Sequence, residues 1–204
     1  GDPVLPMPYS DEGANFSTSF SLFDDMTFSS DTYVVNGLQG DGTSINFDAS
    51  RDYMDNNRSP AIGGRWTVGN SLLKLGTSAM TGRYNGPGGI GPNASGTGYS
   101  IFGADATFRY EDLFRVQAEY AQRNSDSFIG APGQMFGTDR VRGGYVESEL
   151  WLLDDVSLLC RWDLQRQHYA NWDPASGLPS AKYDVQRWTW GINWAVTGNS
   201  LLMF

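Results

Sequence analysis

The residue best suited to acid–base chemistry is His168, the only histidine in the chain. Asp163, Tyr169 and Asp173 lie near it in sequence, and a histidine beside a carboxylate is a common centre of general-base or nucleophilic catalysis. The chain contains neither a Gly-x-Ser-x-Gly nor a His-Glu-x-x-His motif. We therefore interpret His168 as a residue at the end of a strand and do not predict an enzyme; catalysis is the least favoured of the alternatives.

A second group that could do chemistry is a set of oxygen donors in one Gly-rich segment. Calcium takes six to eight oxygen ligands, but the spacing here matches no calcium-binding loop, so we predict solvated charge, no metal and no cofactor. The single cysteine, Cys160, excludes an internal disulfide and a cysteine-based metal cluster. The donors are Asp41, Asn46, Asp48, Asp52, Asp55, Asn56 and Asn57.

Three tryptophans near the end of the chain form a group that could stack on sugar rings. Trp188, Trp190 and Trp194 alternate with polar residues such as Arg187 and Asn193, so they share one side of a strand. A stripe of this kind is typical of the aromatic residues at a membrane interface. We favour lipid contact, and a soluble β-sandwich that binds carbohydrate remains the alternative.

The elements that must position these residues are β-strands, because apolar and polar residues alternate with a period of two. Short turns and long Gly-, Asn- and Asp-rich loops alternate between them, as in up-and-down barrels of the outer membrane. The sequence predicts an all-β, antiparallel up-and-down transmembrane β-barrel. About ten strands are predicted, near Ala14–Phe23, Met26–Asn36, Ala61–Gly69, Ser71–Tyr84, Tyr99–Glu111, Leu113–Asp126, Arg140–Leu153, Val156–His168, Asp184–Val196 and Ser200–Phe204.

Alternation separates an apolar side from a charged side. In one strand Phe114 and Val116 point one way while Arg115 and Gln117 point the other. Burying an unpaired ion in a dry core is costly, so the charged side argues for a water-filled lumen. It carries seven cations and six anions, and the predicted pore-lining residues are Asp31, Tyr33, Arg65, Lys74, Asp105, Arg109, Arg115, Glu119, Arg123, Glu147, Glu149, Arg161, Asp163, Arg187 and Asn193.

Composition limits the possible partners. The chain has 204 residues, 40% of them apolar, and a formal charge of −9, which argues against binding to nucleic acid. Aromatic residues make up 14%, which fits interfacial girdles as well as a core. We expect one domain over residues 1–204, with residues 1–12 as the tail of a loop. The expected partners are outer-membrane lipid and small hydrophilic solutes or ions.

Several short segments together resemble the second half of bacterial outer-membrane porins of the phosphate-selective (O/P-like) family. The resemblance extends from about Asp11 to Leu202 and depends on the order and spacing of the segments. Each segment alone is only a few residues of strand or turn. They are Asp31-Thr-Tyr-Val-Val-Asn-Gly-Leu, Asp55-Asn-Asn, Ala61-Ile-Gly-Gly-Arg, Leu75-Gly-Thr-Ser, Ala118-Glu-Tyr-Ala, Gly144-Tyr-Val-Glu, Cys160-Arg-Trp-Asp and Trp190-Gly-Ile-Asn-Trp.

The resemblance implies a passive diffusion pore in the bacterial outer membrane, in a barrel of about 16 strands that assembles as a homotrimer. Such a barrel needs a longer chain, so we expect either the C-terminal portion of a larger barrel, which we favour, or a small complete barrel. Phosphate selectivity in the family depends on lysine clusters. This chain has only Lys74 and Lys182, so phosphate preference is not expected.

Overall fold

The structure, a computed structural model, describes residues 11–23, 25–40, 45–47, 50, 59–84, 97–128, 135–169, 182–197 and 200–203. All of its named elements are strands, in the order β1 (Gly13–Ser21), β2 (Thr27–Val35), β3 (Ala61–Gly69), β4 (Leu73–Arg83), β5 (Gly98–Tyr110), β6 (Phe114–Phe128), β7 (Met135–Leu153), β8 (Val156–His168), β9 (Lys182–Thr197) and β10 (Ser200–Met203). Among these residues, no helix has both the length and the apolar character needed to cross a membrane.

The ten strands form one sheet in which spatial order equals sequence order, and every neighbouring pair is antiparallel. This confirms the predicted all-β, up-and-down antiparallel arrangement. Two strands, Ala61–Gly69 and Val156–His168, have the predicted bounds. The largest difference is at β7, which begins at Met135 rather than Arg140.

Short turns join the strands at one end of the sheet, the short-turn end, and the sequence explains their geometry. Asn70 accepts hydrogen bonds through Oδ1 from the backbone N–H groups of Leu72 and Leu73, at 3.0 and 2.8 Å. An asparagine side chain that mimics a backbone turn in this way fixes a tight reversal. The opposite end, the long-loop end, carries the connections 36–60, 84–97, 129–134 and 169–181.

Closure of the sheet into a barrel is not observed in the residues that the structure describes. There, β1 pairs only with β2, and β10 pairs only with β9. The sheet therefore has two edges, each with a row of backbone groups that no described strand satisfies.

The register places side chains on two chemically different faces. On the apolar face, large side chains are exposed: Phe16 by 70%, Trp190 by 72% and Ile192 by 47%. The opposite face, here called the ionic face, carries the fifteen predicted pore-lining residues. A soluble sheet buries its apolar side against another layer, whereas the described part of this chain leaves that side uncovered.

The buried hydrophobic cluster lies on the ionic face, at the long-loop end. Residues 38–40 and 45–47 of the β2–β3 connection, here called the capping segment, pack there against β3, β4 and β5. Gly37, just before the segment, has a φ of +91°, a conformation that favours glycine. The cluster consists of Leu38, Ile45, Ala61, Met80, Tyr84, Tyr99 and Ile101.

Candidate functional site

The register brings all fifteen predicted residues to one face of the sheet. Asp31 lies opposite Arg65, and Asp105 lies opposite Glu119. No register shift interrupts these pairings, so residues two apart on each strand stay on the same side. The ionic face is therefore a continuous surface across β2 to β9.

A connected set of charge contacts on this face begins at Arg115 on β6. Its Nη2 lies 3.2 Å from Glu147 Oε1 and 2.8 Å from Glu149 Oε2, both on β7. Glu149 is opposite Arg115 in the register, and Glu147 is two pairs further along, on the same face. One guanidinium thus contacts two successive carboxylates, which limits the repulsion between them.

The same pattern continues onto β8 and β9. Arg161 contacts Glu147 through Nη1 at 3.3 Å and Asp163 through Nε at 2.9 Å. Asp163 in turn lies 3.3 Å from Arg187 Nη2. The result is a connected set of three cations and three anions across four strands. We call it the charge ladder; its members are Arg115, Glu147, Glu149, Arg161, Asp163 and Arg187.

Neutral polar groups support the most buried carboxylate of the ladder. Glu149 Oε1 accepts from Ser157 Oγ at 2.6 Å and from Asn193 Nδ2 at 3.1 Å. The Glu149 side chain is only 9% exposed, so these bonds replace hydration that a carboxylate at the surface would keep. Asn193 was predicted on this face; Ser157 was not.

Tyr145 is a member of the site that the sequence interpretation missed. The Arg161 guanidinium lies 3.8 Å from the centroid of its ring, and its hydroxyl accepts from Gln117 Nε2 at 2.9 Å. Stacking on an aromatic ring orients a guanidinium and favours its charge. Tyr145 is two residues from Glu147, so the same alternation would have identified it.

A separate ion pair on the ionic face lies outside the ladder. Arg65 Nη2 on β3 lies 2.8 Å from Asp105 Oδ1 on β5, across the intervening β4. Gly76 of β4 makes room for this contact, because a Cβ there would lie 2.5 Å from Asp105 Oδ1. The Arg65 side chain is 47% exposed, so solvent screens the pair.

At the long-loop end the capping segment covers part of the ionic face. Leu38 donates its backbone N–H to the Tyr99 hydroxyl at 3.0 Å. The Phe47 ring centroid lies 4.6 Å from the Arg123 guanidinium. Arg123 is only 3% exposed. It thus lies on the predicted face, where the capping segment and its neighbours enclose it, and its role in lining a pore stays a prediction.

The remaining predicted residues are distributed over the rest of the face. Arg109, near the short-turn end, pairs with Asp112 at 2.8 Å, and Asp31 accepts from Ser17 Oγ at 2.5 Å. Lys74 lies opposite Thr107, and Tyr33 lies opposite Gly63.

Beside the ladder, a depression of about 480 Å³ is bordered by Glu119, Arg161, Asp163 and Arg187.

The catalytic and metal alternatives receive no geometric support from the described residues. His168 points to the apolar face and Asp163 to the ionic face, so the proximity suggested by sequence does not bring their side chains together. Where the structure describes the chain, no group of three or more metal-ligating side chains occurs. Apart from Asn46, the predicted oxygen donors lie outside the described residues.

The tryptophan stripe lies on the apolar face. The rings of Trp188 and Trp190 are stacked with centroids 6.3 Å apart and 14° between their planes. Trp188 is 62% exposed and Trp194 is 45% exposed. They add to the uncovered apolar surface rather than to the ionic face.

Comparison with known proteins does not assign the chain to a family. It matches no protein-family model, and no curated protein matches it significantly.

Proposed function

We propose that this chain forms the wall of a transmembrane β-barrel in the bacterial outer membrane, with the ionic face lining a water-filled channel for passive diffusion of small hydrophilic solutes or ions. The observation that carries the proposal is the inverted distribution of polarity. Large apolar side chains are uncovered, whereas the charge ladder, the Arg65–Asp105 pair and the only buried hydrophobic cluster in the described residues lie on the opposite face. Lipid is the environment that an uncovered apolar face of this extent favours.

Backbone hydrogen bonding supports a closed barrel in that environment. Within a bilayer every backbone donor and acceptor must find a partner in the protein, and open edges in lipid are unfavourable. We propose that the edges of β1 and β10 are paired in the intact protein, either with each other or with further strands. Apart from β10, the strands have 9 to 19 residues, and about 9–11 suffice to cross the hydrocarbon core.

The charge ladder supports a channel lining with little net preference for either ion sign. Its three arginines balance its three carboxylates, and rows of opposite charge produce a field across a narrow lumen. The capping segment would reduce the open area at the long-loop end. We therefore propose a channel of restricted width in which solute size and local charge determine passage.

The direct test is reconstitution of the intact protein into planar bilayers under a salt gradient. Stepwise conductance with a linear current–voltage relation supports the pore. A protein that stays monomeric in buffer without detergent and produces no conductance contradicts it.

The second candidate is a soluble carbohydrate-binding module, favoured by the exposed Trp188–Trp190 stack. Tryptophan fluorescence distinguishes the two candidates. Quenching by brominated lipid in vesicles supports the membrane assignment. A fluorescence change on adding soluble oligosaccharide, in the absence of lipid, supports the carbohydrate-binding surface.

A further inference from the structure

The apolar face changes character at the long-loop end of β7, β8 and β9. Along β8, Trp162 and Leu164 are followed on the same face by Arg166 and His168. The neighbouring strands change at the same level, since Arg142 lies opposite Arg166, which lies opposite Asp184. We call this region the basic patch; it consists of Arg140, Arg142, Arg166, His168 and Lys182.

Like charges lie directly opposite each other in this patch. Arg142 faces Arg166, and Arg140 and Lys182 lie on either side of His168 at the next position along the face. Such cross-strand pairs are destabilising unless an anion compensates them. Four of the chain's 14 lysines and arginines gather here, although its formal charge is −9.

Protein groups compensate this charge only in part. Arg166 Nε contacts Asp184 Oδ2 at 2.9 Å, and Arg140 Nε contacts the neutral Asn124 Oδ1 at 3.1 Å. Arg142 is exposed and pairs with no carboxylate within the described ranges. The patch therefore offers guanidinium groups to an external anion.

The surface next to the basic patch would suit a hydrocarbon chain. A groove of about 450 Å³ runs over the apolar face, and Arg142 and Arg166 border it. The small residues Ala106, Ala118 and Gly144 create its depth between larger neighbours. Its apolar walls include Tyr120, Val146, Trp162 and Leu164. A separate depression of about 410 Å³ lies within the basic patch itself.

We propose that this combined surface binds an anionic membrane lipid, with the lipid phosphate at the basic patch and an acyl chain in the groove. Guanidinium groups bind phosphate through paired charge-assisted hydrogen bonds. A phosphate bound there would compensate the charge of the opposed arginines. Contact between the acyl chain and the groove would make a lipid bind more tightly than free phosphate. The inference rests on the proposed membrane barrel and adds a ligand site on its lipid-facing side.

The test uses native mass spectrometry of the intact protein in detergent, titrated with phosphatidylglycerol or with phosphatidylcholine of the same acyl chains. We expect phosphatidylglycerol to bind more tightly. R140Q and R142Q should each weaken its binding about fivefold, since one basic residue at a membrane surface contributes roughly that factor. R83Q is the matched control: it removes one positive charge from the apolar face at the same end of β4. R83Q should bind phosphatidylglycerol as tightly as the unaltered protein does.

A second pair of variants tests the acyl-chain site. A118L fills the groove and should weaken phosphatidylglycerol binding, whereas A79L, on the apolar face outside the groove, should not. R142K should weaken binding less than R142Q does, because it keeps the charge but loses the paired guanidinium hydrogen bonds. Far-ultraviolet circular dichroism of every variant must match that of the unaltered protein. If the spectrum of A118L differs, A106L, which fills the same groove, takes its place.

The outcomes separate this inference from the proposed function. Equal affinity for the two lipids, an unchanged R142Q, or displacement of lipid by an equimolar concentration of inorganic phosphate would overturn the lipid site. If the protein also conducts ions in bilayers, the barrel assignment survives that result. Failure to enter bilayers or detergent micelles would overturn both.

Discussion

Glu147 on β7 and Arg161 on β8 lie directly opposite each other and contact through Oε2 and Nη1 at 3.3 Å. Glu147 also contacts Arg115 on the other neighbouring strand. One carboxylate therefore connects three strands. Its removal would leave Arg115 in contact with Glu149 alone and Arg161 in contact with Asp163 alone among the carboxylates of the ladder. If the ionic face lines a channel as proposed, ion selectivity should be sensitive to single changes in this part of the sheet.

Neutralising Arg115 and Arg161 together, as R115Q/R161Q, should shift the channel toward cation preference. The three carboxylates of the ladder then face only one arginine, so the lumen gains negative potential. Single-channel reversal potential under a salt gradient measures this shift. R83Q, which removes a charge from the apolar face, is the control and should leave the reversal potential unchanged; an equal shift in R83Q would place the conduction path elsewhere.

Val116 and Gln117 are adjacent on β6 and point to opposite faces, which allows a matched test of the face assignment. Val116→Arg should destabilise the folded protein in lipid vesicles by about 2–4 kcal/mol, the cost of a charge facing hydrocarbon. Gln117→Arg should be tolerated, because Glu147 lies opposite it. Urea titration of the vesicle-bound protein gives both free energies, and similar costs for the two variants would contradict the assignment.

Glu149 and Asp112 allow a comparison between a buried and an exposed carboxylate, each of which contacts an arginine. Glu149→Ala removes contacts to Arg115, Ser157 and Asn193. Because Arg115 keeps its contact with Glu147, the expected loss is that of buried hydrogen-bonding groups left without a partner, about 1–3 kcal/mol. Asp112→Ala breaks a pair whose carboxylate is 93% exposed, which should change the free energy of unfolding by less than about 1 kcal/mol. Equilibrium unfolding compares them directly, and a larger loss in Asp112→Ala would show that the ladder carries little stability.

Tyr99→Phe should release the capping segment. The hydroxyl that accepts the Leu38 N–H is lost, and an unsatisfied buried donor costs about 1–3 kcal/mol. We expect faster hydrogen exchange at Leu38 and a larger single-channel conductance. Tyr110→Phe changes an exposed tyrosine on the apolar face of the same strand and should affect neither measurement; an unchanged conductance in Tyr99→Phe would mean that the segment does not narrow the channel.

Strand positions and face assignments were predictable from sequence because a period of two is a local property. Val116 and Gln117 reveal their opposite orientations without knowledge of any other strand. The contacts of Arg115 with Glu147 and Glu149 were not predictable, because they depend on the cross-strand register of β6 and β7. The position of Phe47 over Arg123 depends on tertiary packing of a segment that shows no period. Barrel closure depends on partners for β1 and β10, which the alternation of residues does not specify.

Neighbour-to-neighbour pairing has a consequence for how such a sheet can change during evolution. Since each described strand pairs only with strands adjacent in sequence, a hairpin can be gained or lost as a unit without altering the register within other hairpins. Most contacts between strands accordingly join strands that follow each other in the chain. In the proposed barrel, a change in hairpin number would alter the circumference, and with it the largest solute that the channel would admit. The charge ladder spans β6 to β9, so the selectivity proposed for it would persist only where these four strands remain adjacent.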